Sequence, residues 1–134
     1  MIDILSTVRE YLIQRPAVFA LTGKRIWAGR TYPPKGYKPE DGSAIVFQAR
    51  GGMPAYENDH YMASVQLKCY GYTEIGANEL YRALYTELQQ KEGVTATVRH
   101  AEFEGLGTTL EEPDTEWRYV LVYVTFMIRE RTEG

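Results

Sequence analysis

The segment Trp117-Arg-Tyr-Val-Leu-Val-Tyr-Val-Thr-Phe-Met-Ile128 is apolar at both odd and even positions. Trp117, Tyr119, Leu121, Tyr123 and Met127 fall on one side; Val120, Val122, Val124, Phe126 and Ile128 fall on the other. A half-buried strand alternates apolar with polar, so this pattern predicts a strand covered on both faces. Helices of a small domain can cover one face. The second cover must come from the domain's own remaining elements or from another copy of the domain. The run from Tyr61 to Tyr72 reads differently, with Tyr61, Ala63, Val65, Leu67 and Cys69 toward a core and Ser64, Gln66 and Lys68 facing out.

Helical periodicity appears twice. From about Ile2 to Gln14, Met1, Leu5, Val8 and Leu12 share a stripe that Ile4 and Tyr11 widen, and Pro16 ends it. From Thr73, a candidate cap, to about Lys91, the stripe is Ala77, Leu80, Tyr81, Leu84 and Leu88, and Gly93 stops it. Val18 to Leu21 reads as a short apolar link. Further strands are expected at Lys24 to Ala28, at Ala44 to Arg50 and at about Thr95 to Glu104. Glycine, proline and polar residues mark mobile loops at about 29–43, 51–60 and 105–116, the first stiffened by Pro33 and Pro34. The predicted order is α-β-β-β-α-β-β: one α+β domain over residues 1–134, with a mixed or antiparallel sheet packed with two helices.

Composition narrows the function classes. A chain of 134 residues buries roughly two-thirds of its unfolded surface and folds without staples. Eleven tyrosines against four phenylalanines suit surfaces that contact partners, since a tyrosine ring packs while its hydroxyl meets water. A net charge of −3 argues against a dedicated nucleic-acid binder. Cys69 is the single cysteine, which excludes an intrachain disulfide and a thiolate metal cluster and fits a reducing cytoplasm. No basic-then-apolar leader is visible at Met1, and no apolar run approaches the ~20 residues of a membrane span.

The chain assembles no recognisable catalytic constellation. His60, beside Asp59, and His100 lie in unrelated contexts without metal-ligand spacing. Cys69 sits on an inward strand face, the setting of an inert thiol. Gly105-Leu-Gly-Thr-Thr-Leu110 starts like a dinucleotide fingerprint but lacks its third glycine and its strand–helix context. Glu111, Glu112, Asp114 and Glu116 match no calcium loop and read as a solvated acidic turn. No metal, cofactor or enzymatic activity is expected. An enzyme or small-ligand binder using Cys69, His60 or His100 remains an alternative, as does an RNA-binding sheet presenting Phe47, Tyr61 and Tyr70, for which the charge is wrong.

The element order and texture resemble the tail terminator (tail completion) proteins of long-tailed bacteriophages. The likeness rests on the N-terminal amphipathic helix, the Pro/Gly-rich loop before Ala44-Ile-Val-Phe-Gln48, and Ser64-Val-Gln-Leu-Lys-Cys-Tyr-Gly71 running into Ala77-Asn-Glu-Leu-Tyr-Arg-Ala-Leu84. The closing run Glu116 to Arg129 completes it. The resemblance implies a virion protein, assembled in the host cytoplasm, at the head-proximal end of the tail. There a homohexameric ring would cap the tail tube protein, end its polymerisation and present a surface to the head-completion or connector protein. DNA would pass through the lumen without specific binding. Another phage head–tail connector, a head-closure or adaptor protein, is the alternative. From composition, the loops and their flanks supply the expected contacts: Arg25, Trp27, Arg30, Tyr32, Tyr37, Arg50, Met53 and Tyr56, with Trp117 beside them. Arg25, Arg30 and Arg50 suit either a basic patch for phosphate or pairing with the acidic connection of a neighbouring subunit, and the acidic overall balance favours the pairing.

Overall fold

The computed structural model describes residues 4–54, 60–89 and 98–129. Helix α1 (Ile4–Ile13) buries Val8, Tyr11 and Leu12. It stops because Arg15, preceding Pro16, is extended (φ −86°, ψ 113°). The same proline then opens a second helix, α2 (Pro16–Thr22), where the expected sequence element was an apolar link. Proline fits a first helical turn, whose N–H groups lack intrahelical partners, so one residue ends one helix and starts the next. Gly23, at φ 56°, closes α2 by donating its N–H to Phe19 O.

The strands are β1 (Ile26–Ala28), β2 (Ala44–Pro54), β3 (His60–Gly71), β4 (Val98–Phe103), β5 (Thr108–Glu111) and β6 (Arg118–Arg129), with helix α3 (Glu74–Leu88) between β3 and β4. The α+β class holds, with one helix and one strand more than expected. β5 arises inside the glycine- and acid-rich connection, and β2 continues through Pro54, into a stretch read as loop. Tyr56, and the residues beyond Gln89 assigned to the end of α3 and the start of β4, lie outside the described residues.

The sheet order is β1-β2-β3-β6-β4, and β5 also pairs with β6. β4 lies along Val124–Ile128 and β5 along Arg118–Leu121, so the two divide one edge of β6 between them. β1 and β2 are parallel while every other pairing is antiparallel, which makes the sheet mixed.

The three helices cover one face. Ile45 and Phe47 of β2, Ala63 to Cys69 at odd positions of β3, and the even positions Val120 to Ile128 of β6 pack there against α1, α2 and α3. β3 feeds α3 through a close approach. A methyl group on Gly71 would collide with the Ala77 backbone nitrogen, and Thr73 Oγ1 caps the helix by accepting from Gly76 N–H at 3.1 Å.

Candidate functional site: the cage and cavity on the second sheet face

Parallel neighbours cannot be joined by a tight hairpin, so the chain between β1 and β2 has to cross a sheet face. Helices occupy the first face, and the link, residues 29–43, lies over the second. Tyr37 anchors it. Buried, with its hydroxyl donating to Gly42 O at 2.7 Å, its ring stands edge-on between Trp27 (5.4 Å) and Trp117 (5.7 Å). Burial pushes the Tyr37 phenol up to about 12. Beneath lies a second apolar cluster of Val46, Tyr70 and Tyr119, with Trp27, Trp117 and Leu121 packed against it. The expectation that the final strand is covered on both faces is met at this end of the sheet by the chain's own loop.

The cluster encloses a charge pair. Lys68 sits at an outward strand position yet is only 7% exposed, and Glu112 only 6%. Lys68 Nζ lies 3.2 Å from Glu112 Oε1, the same oxygen that accepts the Tyr70 hydroxyl at 2.5 Å. The ammonium is also 4.7 Å from the Tyr32 ring centroid and 4.9 Å from that of Tyr119. Ring quadrupoles attract a cation there, so the crossover loop roofs a cation cage. Burial, then the bond to the Glu112 carboxylate, raises the Tyr70 phenol far above its ordinary value and keeps it a donor.

Glu112 is presented by a tight turn in which its N–H donates to Trp117 O and Glu116 N–H donates to Glu112 O, both at 2.9 Å. Glu116 adopts φ 62°, the left-handed region that costs a side-chain-bearing residue about 1–2 kcal/mol. Between this turn and the crossover loop opens a cavity of about 300 Å³, walled by Tyr32, Pro33, Pro34, Tyr37 and Trp117, with Glu112 and Asp114 on the acidic side and Lys35 on the rim.

The other end of the second face carries a polar row instead. Arg50 Nη1 reaches Glu104 Oε1 at 3.3 Å and stacks 4.0 Å from the Tyr123 ring centroid. Glu104 Oε2 accepts from Ser64 (2.7 Å) and Thr125 (2.9 Å). The Ser64 bond above all, with Thr125 and Arg50, holds the Glu104 carboxyl below its usual range against a smaller opposing effect of burial. Around this row Tyr123 and Met127 are half-buried and Met62 is exposed.

The residues singled out from sequence separate accordingly. Trp27, Tyr32 and Tyr37 come together around the cage and cavity, as does Trp117. Arg25 points inward, its Nε donating to Ser43 O at 3.1 Å and its Nη2 to Leu21 O at 3.4 Å. Arg30 Nε donates to Tyr32 O at 3.1 Å. Arg50 pairs with Glu104 of its own chain. All three arginines thus have partners within the chain. Met53 lies on β2, its side chain outside the described residues, as is the whole of Tyr56. Sequence reasoning missed Lys68, Tyr70 and Glu112. A lysine at an outward strand position and an acid in an acidic turn look solvated, and only Tyr70, apolar on the same face as Lys68, hinted at a cover.

Among the described residues, no group of three or more His, Cys, Asp and Glu is placed to hold a metal, and no helix is long and apolar enough to cross a membrane. Cys69 is fully buried, and burial pushes its thiol up to about 12. His100 Nε2 lies 3.9 Å from Glu102 on β4.

No family model matches the sequence, and no curated protein matches it significantly. Among solved structures, the fold is similar to a chain from the virion of a native gene transfer agent particle. The match has a TM-score of 0.63 at 11% identity and covers 92% of each chain. At that identity the likeness establishes a shared fold, spanning both chains almost completely.

Proposed function

We propose that this chain is a structural protein of a phage-like particle that assembles as a ring. In the sharper form of the proposal, a homohexamer caps the tail tube, ends its growth and offers its other side to a head-completion protein. The observation that carries the reading is the near-complete fold match to a chain of a gene transfer agent virion. The second sheet face agrees with it: half is roofed by the crossover loop, while Met62, Tyr123 and Met127 on the other half are left partly open for a neighbour. A domain of this length has a radius of gyration of about 14 Å, and six in a ring enclose a hole of roughly one domain diameter, about 36 Å. A mildly acidic chain lining such a hole repels a DNA backbone instead of retaining it.

Size-exclusion chromatography with light scattering across a wide concentration range, followed by negative-stain imaging, tests this. The expected species has six times the 15.4 kDa chain mass and a central hole. Purified tail tubes that stop elongating on addition of the protein distinguish a terminator from a connector, which would bind portal or capsid. A compact two-fold dimer without a hole, inert toward tubes, would refute the ring.

A further inference from the structure

The cavity beside the cage has an occupant implied by its walls. Tyr32 (60% exposed), Tyr37 and Trp117 supply aromatic surface, and Pro33 and Pro34 stiffen the loop that carries the two tyrosines. Glu112 is already committed to Lys68 and Tyr70. Asp114 has no ion pair or side-chain hydrogen bond among the described residues. The turn therefore keeps the Asp114 carboxylate beside open aromatic rings, in a cavity that Lys35 also lines. The same Tyr32 and Glu112, both lining this cavity, already hold an ammonium group by ring face and carboxylate. A planar guanidinium suits the cavity, since it stacks on rings and takes a carboxylate in a two-pronged contact.

On the opposite layer of the domain, Arg82 stands exposed on α3 without an ion pair or side-chain hydrogen bond among the described residues. Its surroundings are apolar. Tyr81, Tyr85 and Leu106 border with it a groove of about 350 Å³, and Leu106 is 86% exposed. Leu106 is held out by its neighbour: Gly107 N–H donates to Tyr81 Oη at 3.0 Å, and a Cβ on Gly107 would stand 2.5 Å from Val120 Cγ1. An arginine among tyrosine and leucine has the composition of an interface core. Head-to-tail rings need two different patches on each subunit, one meeting the other on the next copy. We infer that Arg82 of one copy enters the Tyr32–Trp117–Asp114 cavity of the next. This rests on the ring reading and adds to it the contact that closes the ring.

Two measurements test it. Trp117 lines the cavity, so the Arg82→Glu chain, which offers no arginine to its neighbour's cavity, is titrated with N-acetyl-arginine amide and followed by tryptophan fluorescence; saturable quenching is expected, with none from the uncharged N-acetyl-citrulline amide and none in Arg82→Glu/Asp114→Asn. Equal responses to the two amides would overturn the cavity assignment even if the chain is monomeric. In light scattering, Arg82→Glu and Asp114→Arg are each expected to raise the assembly midpoint concentration by about tenfold or more. Both changes in one chain recreate the pair in reversed polarity and return the midpoint to near wild type. Rings unaffected by either change, or not rescued by the double, overturn this contact and leave the ring standing. A wild-type chain that forms only a closed two-fold dimer overturns the ring and this contact with it. Both positions are exposed, so unchanged circular dichroism and melting temperature verify that the variants fold.

Discussion

Lys68→Met removes the ammonium from a cage that keeps its carboxylate, and the consequence is calculable from the geometry. Glu112 retains one partner, the Tyr70 hydroxyl, but loses the charge 3.2 Å away in surroundings where the two side chains are 9% and 8% exposed. Breaking one side of a buried pair costs about 3–5 kcal/mol, because the remaining charge is desolvated without compensation. The lower end, about 3 kcal/mol, is expected here because Tyr70 still donates to the stranded carboxylate. Against a total stability of about 5–15 kcal/mol, this is a large loss. Glu112→Leu should cost a similar amount by leaving the ammonium among rings with no anion. The double variant Lys68→Met/Glu112→Leu should recover part of the loss, since it strands no charge and leaves only the buried Tyr70 hydroxyl without its acceptor. Urea denaturation of the four proteins closes the cycle. With a urea slope of about 1–3 kcal/mol/M, each single variant's midpoint falls by roughly 1–3 M, and a coupling energy of about 2 kcal/mol or more is expected. Single losses below about 1 kcal/mol that simply add would mark an ordinary surface pair and refute the cage.

Other outcomes follow from single contacts. Gly71→Ala forces backbone against backbone at the start of α3 and is expected to destabilise the fold by about 3 kcal/mol or more, well beyond a helix-propensity effect, as read by thermal melting. Glu116→Asn relieves part of the left-handed strain at φ 62° and should stabilise by up to about 1 kcal/mol; a loss would mean that the Glu116 side chain contributes to the turn. The Cys69 thiol, pushed up to about 12 by burial, should resist alkylation at pH 8 in the native protein and react at once in urea. Because the folded thiol holds its proton more tightly than the unfolded one, its contribution is intact below about pH 9 and is lost as pH rises toward 12. The lowered Glu104 carboxyl works in the other direction. Its contribution is present above the unfolded carboxyl's range and disappears as pH falls through the lower folded value, so Glu104→Gln should flatten the acid limb of a stability–pH curve. A curve unchanged by that substitution would mean that the Ser64–Thr125–Arg50 row gives no net stabilisation.

What the sequence determined by itself is what periodicity carries. The stripes on α1 and α3, the inward faces of β3 and β6 and the α+β class were all legible, because each records locally which side of an element meets a core. The doubly apolar pattern of Trp117 to Ile128 correctly demanded a second cover. Local signals also misled. Pro16 signals the end of α1 in sequence although it equally starts α2, and a four-residue strand such as β5 is too short to show a period. The nature of the second cover was decided by tertiary structure alone. The parallel pairing of β1 with β2 sends residues 29–43 across the sheet, and that crossing roofs Lys68 with Tyr32 and seats Tyr37 between two tryptophans. The cage joins Lys68 to a residue 44 positions away, and Arg50 meets Glu104 across 54. Charges that look solvated one by one become a buried pair when the chain brings them under the same loop. No local pattern records such a meeting, because it depends on which strands lie side by side and on which face the chain crosses.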